Sequence, residues 1–483
     1  METDTSSAPE SPRKRRARRR RRVLIASAAG CAVLGGVLVL LPRERAEAPA
    51  AAPAPAPPRP APGPKAHKRG PVTAGVPAAL PDLVALIGER EAHLRGHPRD
   101  APSWALLGSA YVERGRQTAD AAYYPKAEKA LRTSLKVGSP GNAPALEGLA
   151  ALAVARRDFA AAKRWGESAR EAAPKRWTTH AVLVDAYTGL GDREAAGRAL
   201  DRLLKLRPGT PAVRARAAAV YRDLGWREDA AAQISDAVAE AGAPAERAAY
   251  LEQAGRLAFE RGDRDGALRS FREALRADPG QRAAQAGLGR TLAALGRTDE
   301  AVDAYRAALA GAPRPEYALE LGELYESLDL GREAQAQYEL LREQVRGAEA
   351  GGADEELVLG RFEADHGDPW SAVRRLRAEW ERQPATAVAD ALGWALHRAG
   401  EHGEALEYAE IATDAKHGGG VRSALYAFHR GMIEQALGHD GRAWRRLTEA
   451  QQINPYFSPL LAPVARRALA ELGEPSEQGP PLP

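Results

Sequence analysis

Hydrophobic and polar positions divide the chain into stretches of different texture. Val23 to Leu41 runs nineteen residues without a charge, behind a block from Arg13 to Arg22 in which only Ala17 is uncharged. Rising 1.5 Å per residue, a helix of that run spans about 28 Å, close to the hydrocarbon thickness of a bilayer. The pattern predicts one transmembrane signal-anchor helix over 23–41, with the basic tail 1–22 held on the cytoplasmic side. Residues 42–80 lose any hydrophobic period and are dominated by Pro and Ala, as in Ala54-Pro55-Ala56-Pro57-Pro58. Missing donors and fixed φ predict a disordered, extended linker there, able to reach up to roughly 120 Å at ~3.1 Å per residue. Beyond it the pattern turns helical. Units of about 34 residues start at 101, 143, 177, 211, 248, 282, 315, 353, 386 and 424, with a leading half-unit or cap over 81–100. Leu460, Leu461, Val464, Leu469 and Leu472 predict an amphipathic capping helix within 456–473, followed by a disordered tail over 474–483.

Two other readings of the apolar run compete with an uncleaved anchor. A signal peptide cleaved at Ala46-Glu47-Ala48 meets Pro49 at once, which blocks cleavage. A lipid-modified Cys31 after Ala28-Ala29-Gly30 leaves ten further apolar residues unaccounted for.

Position by position, the units agree. Their twentieth residue, allowing for a longer turn in the first, is Ala in every case: Ala127, Ala162, Ala196, Ala230, Ala267, Ala301, Ala334, Ala372, Ala405 and Ala443. Ala is about one residue in five overall, so composition does not produce that column. The eighth residue is Gly in seven units, among them Gly108, Gly289 and Gly322, and Pro closes six, from Pro174 to Pro455. Small residues at these two places let a second helix cross a first at close range, and Pro stops a helix. Trp104-x2-Leu107-Gly108-x2-Tyr111 completes the signature. Residues 101–455 thereby resemble the tetratricopeptide repeat family. The resemblance implies an all-α fold, a right-handed solenoid of about ten helix pairs whose first helices line a concave groove. The second and fourth units lack Leu-Gly, and the seventh and ninth lack the closing Pro.

Charge changes the picture only when it is divided. The formal net charge is +5, but residues 1–22 carry nine positive and three negative groups, and residues 42–80 six and two. The body from 81 onward is therefore mildly acidic, which argues against nucleic acid as a partner. Anionic lipid headgroups near Arg13–Arg22 are the expected counterpart of the basic block. One Cys leaves no intramolecular disulfide, which is compatible with an array outside the cytoplasm.

No H-E-x-x-H, Walker loop, G-x-S-x-G, C-x-x-C or G-x-G-x-x-G occurs, so neither catalysis nor a cofactor is expected. The resemblance places positions 2, 5, 6, 9, 12 and 13 of each first helix on the groove. Those positions carry Arg256, Arg290, Glu316, Glu320, Glu323, Glu326 and Arg361, then Trp394, His397, Phe428, His429 and Met432. The charged members equally suit a solvated helix face, and the aromatic members equally suit burial against the next unit. The expected function is a membrane-anchored scaffold that takes a partner protein or peptide in the groove. The alternative is a surface protein binding a metal ion or small ligand through the late histidines and aromatics, although no metal-ligand spacing supports it. The family's clamp for a partner's terminal carboxylate needs Lys and Asn at positions 5 and 9; the fifth unit has Glu252 and Arg256.

Overall fold

The computed structural model describes residues 76–139, 141–414 and 420–473. The predicted transmembrane run 23–41, the basic tail and the tail 474–483 lie outside them, as does most of the predicted linker. Among the described residues no helix is long and apolar enough to cross a membrane.

Every described element is a helix. Leu80–Gly96 leads, and ten helix pairs follow. They are Ala101–Thr118 with Tyr123–Val137, Ala143–Ala155 with Phe159–Ala172, Trp177–Gly189 with Arg193–Leu206, and Pro211–Asp223 with Arg227–Glu240. Next come Pro244–Glu260 with Arg264–Ala277, Arg282–Ala294 with Thr298–Gly311, and Pro315–Glu326 with Gly331–Ala350. The last are Glu356–His366 with Pro369–Arg382, Thr386–Arg398 with His402–Thr413, and Ala424–Ala436 with Asp440–Ile453, before a closing helix Leu461–Leu472.

Local chemistry explains the punctuation. Asp158, Asp192 and Asp263 cap second helices, each accepting a backbone N–H three residues on at 2.8–2.9 Å. Pro stands in the first turn of the helices that begin at Pro211, Pro244 and Pro315, where its missing donor costs nothing. The ten alanines of the twentieth column are all at most 3 % exposed, each where the two helices of a pair cross. Gly289 shows how close that approach is, since a Cβ there would lie 2.8 Å from the Tyr305 ring.

The array coils until its own edges meet. Arg156 Nε donates to the carbonyl oxygen of Gly351 at 3.1 Å, Arg227 Nη2 to that of Arg422 at 2.8 Å, and Asn454 Nδ2 to that of Phe259 at 2.9 Å. All three links span 195 residues, between five and six units. Each joins the turn inside an early pair, or a helix end beside that turn, to the connection that follows a late one. The Asp354 amide adds a bond to the Arg156 carbonyl at 2.8 Å, and Gln383 Oε1 accepts from the Phe159 amide at 2.8 Å. The longer connections at Gly351 and Gly420, where units seven and nine lack their closing Pro, reach this seam, as do Gln383 and Asn454 beside the closing Pro of units eight and ten.

Arg157 stands out in it. Gly191, Gly225 and Gly262 take the left-handed conformation just ahead of their second helices, as glycine does at low cost. In the second pair that place belongs to Arg157, at φ 62°. Its guanidinium pairs with Glu316 and lies 3.6 Å from Glu355.

Candidate functional site

The coil turns the inner faces of the first helices toward a common space of about 460 Å³. Pairs four to ten all contribute, and the segment from Asn454 to Arg466 closes one side. The open groove expected from the sequence is here a chamber, because the edges of the coil touch.

Its charged groups are mostly answered in place. Arg222 grips Glu260 with Nε and Nη2 at 2.7 and 2.9 Å, and reaches Asp223 with Nη1 at 2.8 Å. Burial works to raise the Glu260 pKa, but the Arg222 guanidinium overcomes it and holds the carboxyl below its ordinary value. Arg290 pairs with one oxygen of Glu320, while the Tyr305 hydroxyl donates to the other at 2.9 Å. Burial pushes the Tyr305 phenol well above its usual range. Glu323 faces His366, whose Nδ1 lies 3.2 Å from Glu326 and whose ring stacks on Tyr338 at 4.6 Å. Burial disfavours charge on His366, yet hydrogen bonding and attraction to Glu323, with help from Glu326, raise its pKa. Arg361 is exposed on the wall and has no carboxylate within ion-pair distance among the described residues.

Trp394 is the hub of the late end. Its Nε1 donates to Asp365 at 2.9 Å, and its ring stacks on His429 at 4.3 Å and on His397 at 5.0 Å. His429 Nδ1 donates to both oxygens of Asp390, at 3.0 and 3.1 Å, with both partners buried. His397 also touches His402 at 4.8 Å. Burial, then the His402 charge, pulls the His397 pKa down to about 4. Among the described residues no group of three or more His, Cys, Asp or Glu is placed to hold a metal ion.

Of the residues singled out in the sequence, Arg290, Glu320, Glu323, Arg361, Trp394 and His429 line the chamber together. Four do not. Phe428 is fully buried in the core, because its ring packs between Trp394 and Phe457. Met432 packs against the same core, His397 lies behind Trp394, and Arg256 sits 3.9 Å from Glu252 outside the chamber wall. Arg222, Glu260, Asp365 and the closing segment were missed. The first three occupy positions 12 and 13 of their units, so the repeat frame already marked them as inward-facing.

Comparison with known proteins adds one match in sequence and several in structure. The family model described as "Tetratricopeptide repeat" matches residues 252–318. No curated protein matches the chain. Among solved structures, the APC/C hetero-tetramer Cut9–Hcn1 aligns at 16 % identity and a TM-score of 0.39, covering 81 % of this chain and 82 % of that one. PilF of Pseudomonas aeruginosa aligns at 18 % identity and 0.35, over 42 % and 92 %. MamA aligns at 21 % and 0.29, over 35 % and 97 %. The likeness of this chain to the tetratricopeptide repeat thus rests on the match at 252–318, joined to the repeated helix pairs on either side of it.

Proposed function

We propose that the protein is a non-enzymatic scaffold that holds an extended segment of a partner protein in its inner chamber. The observation that carries this reading is the convergence of seven consecutive helix pairs on one space with charged and aromatic walls. Repeats of this kind generally mediate protein–protein contact, and the match at 252–318 supports the assignment. Arg361 gives the chamber an exposed, unanswered charge on a side-chain type enriched in binding hot spots, while Trp394, only 6 % exposed, braces the wall from within the core. An extended segment suits the chamber better than a folded domain, because a space of about 460 Å³ admits only a few residues.

The further reading is that residues 23–41 anchor the chain as a single-pass membrane protein. The N-terminus would be cytoplasmic, the basic block 13–22 near anionic headgroups, and the array outside. The length of the uncharged run and the basic block before it support this.

A photo-crosslinking residue at Arg361 tests the chamber, with the same residue at Arg374, an exposed position on the second helix of the eighth pair, as control. One partner band from Arg361, with none from Arg374, is the expected result. Equal bands from both positions, or none from Arg361, reject the chamber. Protease added outside intact cells, with a C-terminal epitope followed by blotting, tests the topology: an epitope that survives until lysis refutes it.

A further inference from the structure

A second cavity lies between the successive turns of the coil. It encloses about 320 Å³, near the lower end of the ~300–1,000 Å³ range of small-molecule sites. Phe159, Val220 and Leu224 come from pairs two to four, and Leu357, Ala387 and Val388 face them from pairs eight and nine. Close-packed interiors leave few voids much larger than a water molecule. Here the two faces elsewhere meet atom to atom, as at Phe159–Gln383 and Arg156–Gly351.

The polar groups in its wall are unequal. Asp223 accepts from Arg222 at 2.8 Å, Asp354 pairs with Arg382 at 2.7 Å, and Glu379 accepts from Gln383 at 2.8 Å. Burial also pushes the carboxyls of Asp223 and Glu379 upward. Arg193 has no such partner. Its Nη2 donates to the backbone carbonyl of Asp223, and among the described residues no carboxylate lies within ion-pair distance of it. It is a partly buried guanidinium on an apolar cavity, with donors left over. A planar fork in that state matches a carboxylate, which accepts two parallel N–H bonds.

We propose that this cavity binds a small amphiphile, its apolar body against Phe159, Val220, Leu224, Leu357 and Val388 and a single carboxylate head on Arg193. Because the walls belong to both turns of the coil, the ligand bridges the seam and tightens it. The site adjoins the inner chamber, sharing Arg222, Val421 and Tyr426 with its wall, and the proposal does not depend on what the chamber holds.

Hydrogen exchange on the full-length chain in lipid nanodiscs tests it, with sodium octanoate and 1-octanol as probes. Octanoate is expected to slow exchange saturably at the Phe159 amide and across 385–388, at concentrations about tenfold below those 1-octanol needs, because the alcohol leaves the guanidinium unpaired. Arg193→Gln should erase the difference between the two probes. Ala387→Phe, which fills the space, should abolish both effects while protection in the first pair stays as it was. Equal potency of acid and alcohol, an octanoate effect that survives Arg193→Gln or Ala387→Phe, or no slowing by either probe overturns the proposal.

Discussion

Arg156 and Gly351, 195 residues apart, share a hydrogen bond of 3.1 Å from the guanidinium Nε to the backbone carbonyl. A stack of helix pairs held only by nearest neighbours is a nearly one-dimensional object, in which distant units do not sense each other. This bond and its fellows at Arg227–Arg422 and Asn454–Phe259 add a second dimension. They couple early units to late ones and turn the inner face of the coil into a chamber.

Arg157 is the strained member of that seam, and the strain yields a prediction with an unusual sign. A non-glycine residue in the left-handed region costs about 1–2 kcal/mol, and the pairing with Glu316 and Glu355 offsets it. Arg157→Ala loses the ion pairs and keeps the strain, whereas Arg157→Gly loses the ion pairs and sheds the strain. Glycine is therefore expected to be the more stable replacement by about 1 kcal/mol, with both variants below the wild type. Urea unfolding of the three proteins decides it, and an alanine variant equal to or better than the glycine variant refutes the strain argument.

Glu355 makes the seam sensitive to pH. Burial pushes its carboxyl up to about 7, against the attraction of Arg157 and with repulsion from Glu316 adding to the rise. Its reference value is 4.5, so between about pH 4.5 and 7 the folded chain binds more protons than the unfolded one. Stability from this group is thus complete at the acid end and declines as the pH rises through the window. Glu355→Gln cannot ionise, so its stability relative to wild type should improve from pH 5 to pH 8. Exchange rates of the Asp354 amide at the two pH values provide the local readout. An advantage for glutamine that is as large at pH 5 as at pH 8 would falsify this assignment.

Two glycines inside helices should respond in opposite ways to the same substitution. Gly289 faces the Tyr305 ring, which is buried and tied by its hydroxyl to Glu320, so it cannot move aside. Gly289→Ala is expected to cost about 1–3 kcal/mol. Gly197 lies within Arg193–Leu206 with no heavy atom within 4 Å of an added Cβ. Gly197→Ala is expected to gain about 0.5–1 kcal/mol from helix propensity alone. Thermal unfolding followed by circular dichroism compares them, and a shift in the same direction for both would count against the packing explanation.

These contrasts show what the amino-acid pattern could and could not disclose. The alanine column and the eighth-position glycines are local, set by one helix crossing its partner, and the periodicity displays them directly. The seam is cumulative. It depends on small rotations between successive pairs adding up until Gly351 arrives beside Arg156, and no single unit records that sum. It left traces only in part, as the extra residues near Gly351 and Gly418 and the missing closing Pro, since Gln383 and Asn454 reach it beside ordinary closing prolines and the extra residues near Gly242 mark no such contact among the described residues. The chamber was legible in part for a related reason: inward-facing positions follow from the frame, but which of them become buried depends on the neighbouring unit.

Phe428 is the clearest case, and it corrects a natural experiment. As an exposed groove anchor it would be removed together with Trp394 to test partner capture. In the structure Phe428 is fully buried, with ring contacts to Trp394 at 5.6 Å and to Phe457 at 5.5 Å. Phe428→Ala is expected to cost about 3–5 kcal/mol and to loosen the last pair together with the closing helix, so its effect on binding says nothing of recognition. Trp394→Phe is the informative variant. It keeps an aromatic ring in the stack with His429 and removes the Nε1–H that Asp365 accepts at 2.9 Å, together with part of the indole's volume. Arg398 remains 3.6 Å from that carboxylate, so the loss should be about 1–3 kcal/mol, less than for Phe428→Ala, and the helical content unchanged. Exchange protection across 424–436 separates the two: it should collapse in Phe428→Ala and persist in Trp394→Phe. Persistence in both would mean that Phe428 is not the core residue its burial makes it.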